Sequence, residues 1–161
     1  MDAICPSAID SLVQIWSALH KELDVEIEAA EARYLSGVVL GMDDELVARL
    51  LAAKISMSRA PDANCDGTLV RRGSVLEYAI QGRTRGATLV HGSVVSDGRL
   101  GVGTRFGAAV IGLRPGQSLL WPMEQGRLAE VRVLEVMTTA IRKRRAGSAI
   151  SAVKAKPCAF G

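Results

Sequence analysis

From residue 7 to residue 34 the chain holds neither glycine nor proline. With both breakers absent, the spacing of apolar side chains decides the conformation. Ile9, Leu12, Trp16, Leu19, Leu23, Ile27, Ala30 and Tyr34 recur every three or four residues, which places them on one stripe of a single long helix. One step is irregular: Leu23 to Ile27 inserts an extra four-residue interval, a stutter that slightly unwinds a helix pair. Ser7, behind Pro6, can cap the start, and Asp10 suits the positive end of the helix dipole. Lys21, Glu22, Asp24, Glu26, Glu28, Glu31 and Arg33 fill the other positions as a solvated face.

Ser36 and Gly37 end this pattern, and "DDELVARLLAAKI" starts a second helix at Asp43 or Asp44. Asp43 is the expected cap, with Asp44 and Glu45 complementing the dipole. Leu46, Leu50 and Ala53, with Val47, Leu51 and Ile55 beside them, form its apolar side. The simplest packing is an antiparallel helical hairpin with residues 35–43 at the turn. At about 1.5 Å per residue the second helix is roughly 20 Å long, shorter than the first. The stripe, ending near Val38, Val39 and Leu40, leaves pairing with a second copy open.

The period changes after "SRAPDANCDG" (58–67), whose Pro, Gly, Asn and Asp mark a linker. "SVLEYAI", "GATLVHG", "RLGVG", "QSLLWPM" and "LAEVRVLEVM" are short β-rich runs between turn residues and predict five strands. One helix over residues 105–113 interrupts them, with Val110, Ile111 and Leu113 toward the core and Trp121 half-buried nearby. The expected class is α+β, divided into a hairpin (1–58), a linker (59–72), a β domain (73–140) and a tail (141–161).

Several function classes are disfavoured by composition. Aromatic residues make up 4%, too few for base-stacking platforms. The net charge of +3 is concentrated in Arg142, Lys143, Arg144 and Arg145, followed by Lys154 and Lys156, so any basic footprint is local. Cys5, Cys65 and Cys158 form no C-x-x-C pair and the only histidines are His20 and His91, which argues against zinc and against a disulfide framework. No basic, apolar leader opens the chain, and no apolar run approaches the roughly 18 residues of a membrane span, so a cytoplasmic location is expected. A dinucleotide fingerprint fails at Phe106, where G-x-G-x-x-G starting at Gly101 needs glycine, and Pro115-Gly116 ends the helix too early. His91, Ser93, Ser96 and Asp97 share one strand and turn whose side chains alternate faces, so they build no hydrolytic site. No catalytic residue, metal ligand set or cofactor is expected, and the chain reads as a binding module.

Gly107, Ala109, Val110, Ile111, Gly112, Leu113, Gly116, Trp121, Pro122, Leu134, Glu135 and Val136 follow an ordered pattern. With the hairpin before it, this pattern resembles the Gre transcript-cleavage factors and, more closely, the Rnk proteins, named as regulators of nucleoside diphosphate kinase. The resemblance spans residues 43–137. It implies an FKBP-like C-terminal domain that docks at the rim of the RNA polymerase secondary channel, with Thr104, Arg105, Phe106 and Gly107 in the contacting loop. Arg105 would meet carboxylates of the partner, and Phe106 would fill a pocket or cap the core. In Gre factors acids at the hairpin tip hold magnesium; Asp43, Asp44 and Glu45 stand near the turn, and carboxylates are the hard ligands this ion prefers. The same acids serve helix capping, which is the preferred role here. Rnk-type proteins have a shorter hairpin, which implies polymerase binding without stimulated cleavage. The alternatives are a Gre-like factor delivering magnesium and a regulator of nucleoside diphosphate kinase acting through another protein contact.

Three departures stand out. Thr104-Arg105 replaces Ser-Pro, Gln117 replaces the Asp of the Gly-Asp turn, and "MTTAIRKRRAG" follows "VLEV". The basic tail carrying Arg142, Lys143, Arg144 and Arg145 is an addition, expected to touch nucleic acid or an acidic protein weakly by charge, or to remain a solvated end. An isomerase activity needs an aromatic pocket that Tyr78, Phe106 and Trp121 are too few to build.

Overall fold

The computed structural model describes residues 5–62 and 68–137; Cys65, Cys158 and the cluster Arg142, Lys143, Arg144 and Arg145 lie outside the described residues. The N-terminal half holds three helices where two were expected: α1 (Pro6–Leu19), α2 (Ala29–Leu40) and α3 (Glu45–Met57). The expected helix over 7–34 ends at His20, whose backbone N–H and ring Nδ1 both reach Trp16 O, at 3.1 and 2.7 Å. Residues 23–28 then run extended. Glu26 N–H donates to Gly112 O (3.0 Å), Ile27 N–H to Arg59 O (2.9 Å), and Arg59 N–H to Val25 O (2.9 Å).

The energies explain the break. Helix propensity separates Val or Ile from good helix formers by only a few tenths of a kcal/mol. Burying such a side chain is worth about 1.5–3 kcal/mol, and Val25 and Ile27 are both buried. Packing therefore overrides the helical pattern, and it does so at the stutter. The stripe divides accordingly: Ile9 and Trp16 are buried, whereas Leu12 and Leu19 are exposed.

The second expected break, at Ser36-Gly37, is absent. Glycine inside a helix costs only about 1 kcal/mol, and Ser36 Oγ is absorbed by donating to Ala32 O at 2.8 Å. α2 therefore runs on to Leu40, and the turn narrows to residues 41–44. Asp44, rather than Asp43, caps α3 by accepting from Val47 N–H at 3.1 Å.

Six strands follow: β1 (Val75–Ile80), β2 (Arg83–Val90), β3 (Val95–Ser96), β4 (Arg99–Gly101), β5 (Ser118–Pro122) and β6 (Leu128–Met137), with α4 (Arg105–Val110) between β4 and β5. They form one sheet in the order β3-β4-β2-β1-β6-β5, antiparallel except for β2 and β4. The two-residue β3 was not among the five expected strands, being too short for period-2 alternation to register. Leu76, Tyr78 and Ile80 alternate inward on β1 opposite Val131, Val133 and Val136. A bulge between Glu77 and Tyr78 lets the longer β6 keep that register.

Helices and sheet share one core, in which Leu35, Val47, Leu50 and Leu51 meet Leu76, Leu89, Ile111 and Trp121. Trp121, expected half-buried, is completely enclosed. The outer edge of β5 is covered by two side chains from the α1 end: Trp16 Nε1 donates to Leu120 O (2.6 Å), and Leu120 N–H donates to His20 Nε2 (3.0 Å). A strand edge is thereby closed without another strand. Among the described residues no helix is long and apolar enough to cross a membrane.

Candidate docking site

The Gly-rich segment places α4 on the sheet with little clearance. Thr104 Oγ1 donates to Gly101 O at 2.6 Å and accepts from Gly107 N–H at 3.2 Å, which caps α4 and anchors it to the end of β4. A Cβ at Gly107 would run into the Gly101 carbonyl, so only glycine fits where helix and strand backbones meet. Phe106 is partly buried against the core.

Arg105 does not project freely. Its Nη1 donates to Pro122 O (2.7 Å), its Nη2 to Asp44 Oδ2 (2.8 Å), and its carbonyl accepts from Trp121 Nε1 (2.7 Å). Two candidates that lie 61 residues apart, the loop arginine and the turn acid, are therefore one ion pair. Both Asp44 oxygens are engaged, one by Val47 N–H and one by Arg105, while Asp43 and Glu45 are exposed. Among the described residues no group of three or more His, Cys, Asp or Glu side chains is placed to hold a metal.

Lys54 fixes the other end of α4. It is fully buried, and its Nζ donates to Ala108 O (3.0 Å) and Ala109 O (2.5 Å) while standing 5.9 Å from the Trp121 ring centre. These carbonyls need an outside donor. Gly112 N–H, which a longer helix would turn to Ala108 O, goes to Val70 O (2.9 Å), and Leu113 N–H goes to Val110 O (3.2 Å). Burial holds the Lys54 ammonium well below its ordinary 10.5. The sequence carried a signal for this residue: Val47, Leu50, Leu51 and Lys54 fall on one helical face, so a lysine completes an apolar stripe.

Beneath the loop lies a cleft of about 550 Å³ between α4, β1, β2 and the 3-10 turn Glu124–Gly126. Tyr78, Leu100, Phe106 and Met123 supply apolar surface; Arg85, Arg127 and Glu124 stand at the rim. Burial pushes the Tyr78 phenol up, and the charge of Arg85, its cross-strand partner, opposes that shift. Arg85 and Arg127 escaped the sequence reading because only the β1–β2 register and the return from β5 bring them to the loop.

Ion pairs hold residues 23–28 to the remainder. Glu26, buried, accepts from Arg59 Nη2 (2.8 Å) and Arg114 Nη2 (2.6 Å), and Arg59 also grips Asp24, whose carboxyl it holds below its ordinary range. His91 is exposed just past the end of β2, beside Arg72 (2.9 Å).

The architecture is a six-stranded, mostly antiparallel sheet joined through α4 to a three-helix layer, an α+β arrangement. No family model and no curated protein matches the sequence. A solved structure described as a prokaryotic transcription elongation factor GreA/GreB from Nitrosomonas europaea is similar, with a TM-score of 0.53 at 21% identity, covering 71% of this chain and 98% of that one. The Gfh1 protein of Thermus aquaticus aligns over 81% of this chain and 87% of its own at 18% identity, with a TM-score of 0.38. The first of these likenesses shows a shared fold.

Proposed function

We propose that this protein is an RNA polymerase-binding transcription regulator of the Gre/Rnk type, docking near the secondary channel without stimulating transcript cleavage. The observation that carries the reading is the fold shared with a GreA/GreB factor over nearly all of that factor's length. The ordered pattern from Gly107 to Pro122 supports it, because those residues form α4, its exit and β5 beside the candidate loop. Binding without cleavage is supported by Asp44, whose carboxylate is spent on capping α3 and pairing with Arg105. The contacting surface is the 104–107 loop.

Capture of purified polymerase by the immobilised full chain tests this reading. Wild type is expected to retain polymerase and the Arg105→Glu, Phe106→Ala double variant to lose it. Asp44→Ala breaks the same internal ion pair but leaves the loop residues in place, so it should still bind. No capture by wild type, or equal capture by the double variant, overturns the reading.

A further inference from the structure

The arginines of this chain divide into two groups. Arg49, Arg59, Arg71, Arg72, Arg105, Arg114 and Arg132 each pair with a carboxylate. Arg33, Arg83, Arg85, Arg99 and Arg127 are exposed and form no ion pair among the described residues. Arg85 and Arg127 line the same half-apolar cleft, and Arg83 shares a sheet face with Arg85, two residues along β2. Two guanidinium groups without an ion pair among the described residues thus line apolar surface from Phe106 and Met123.

A second observation concerns backbone. β4 pairs with β2 only at residues 88–90, so residues 83–87 have β1 on one side and, among the described residues, no strand on the other. This open edge includes Arg85, which also lines the cleft. An added strand would find backbone partners along β2, and every second side chain of it would face the cleft. A second copy of this chain is a poor occupant, because its own edge carries the same like-charged arginines.

We infer that the cleft and the β2 edge form a binding site for an extended acidic protein segment, its carboxylates meeting Arg85 and Arg127 and an apolar side chain entering between Phe106 and Met123. The site goes beyond the polymerase reading and does not depend on it. A nucleic-acid strand fits less well: the free guanidinium groups flank a confined apolar cleft with Glu124 at its rim and trace no continuous basic track.

Fluorescence anisotropy with the full chain tests the site, using a labelled dodecapeptide of alternating aspartate and leucine as the probe. Wild type is expected to bind it, more weakly as salt is raised, and to bind the alternating asparagine–leucine peptide far less. Arg85→Glu with Arg127→Glu should weaken binding by about tenfold or more, while Arg33→Glu, reversing an exposed arginine on α2, should leave it unchanged. A peptide N-methylated at alternate backbone amides should also lose affinity for wild type, since it cannot complete a ladder. The inference is overturned by any of four results: no binding of the acidic peptide, equal binding by the double variant, undiminished binding of the methylated peptide, or preference for a twelve-residue thymidine oligonucleotide. The assay contains no polymerase, so its failure leaves the docking reading standing, and failed polymerase capture leaves this one standing.

Discussion

Replacing Lys54 by methionine removes an amine from the core while keeping a side chain of similar length, and the outcome depends on pH. Lys54 is wholly buried, with two carbonyls and an aromatic face around its Nζ and, among the described residues, no carboxylate bonded to it. Burial sets its folded-state pKa well below the 10.5 of the unfolded chain. Between those two values the unfolded state binds one proton more than the folded state, so stability rises with pH by about 1.4 kcal/mol per unit. The Lys54→Met variant lacks that slope. It leaves Ala108 O and Ala109 O without their donor, a loss of about 1–3 kcal/mol for each carbonyl. Urea unfolding followed by circular dichroism at pH 7, 8 and 9 should show wild type gaining on Lys54→Met by up to about 3 kcal/mol across the series. A difference between the two proteins that stays flat over those two units would refute the reasoning, because it would mean Lys54 carries the same charge folded and unfolded.

His20 titrates with the same sign in a lower window. Burial is the main cause of its depressed pKa, with the charge of Lys54 adding and the Trp16 carbonyl opposing. Its Nε2 must stay unprotonated to accept from Leu120 N–H, so this contribution is present above the ordinary 6.5 and lost as pH falls below it. Wild type should lose about 1–3 kcal/mol more than His20→Gln between pH 7 and pH 5 in the same unfolding assay; equal losses would remove His20 from the sheet edge. Gly112→Ala probes the seat of the extended segment. Gly112 has a φ of 81°, and a Cβ there would come within 2.9 Å of both Ile27 Cγ1 and Val25 Cγ1. Strained backbone and overpacking together predict a loss of about 2–4 kcal/mol, and a near-neutral result by thermal melting would show that residues 23–28 do not press on this turn.

The short-range features were legible in sequence. β6 occupies the very run "LAEVRVLEVM", because strict alternation of Ala129, Val131 and Val133 with polar residues has no helical reading. α3 was visible from its stripe and its acids, and α4 from its small residues, although it closes at Val110 where residue 113 was expected. Residues 23–28 were misread because glycine and proline report only local freedom. Val25 and Ile27 are extended on account of Gly112, which lies far downstream in the chain and adds nothing to their local propensity.

The candidate site shows the same division. Thr104 and Gly107 stood out in the sequence only as members of the loop that the resemblance implies, and the structure gives them a cap and a close backbone approach. That Arg105 is held by Asp44, that Lys54 completes the last turn of α4, and that Arg85 and Arg127 remain unpaired around one cleft were decided by tertiary structure alone. Charges act through space, and residues separated by tens of positions become neighbours only when helix, sheet and turn have packed. The order of residues thus determined the short-range elements such as β6 and α3. Packing decided which of the charged side chains are satisfied inside the molecule and which are left for a partner.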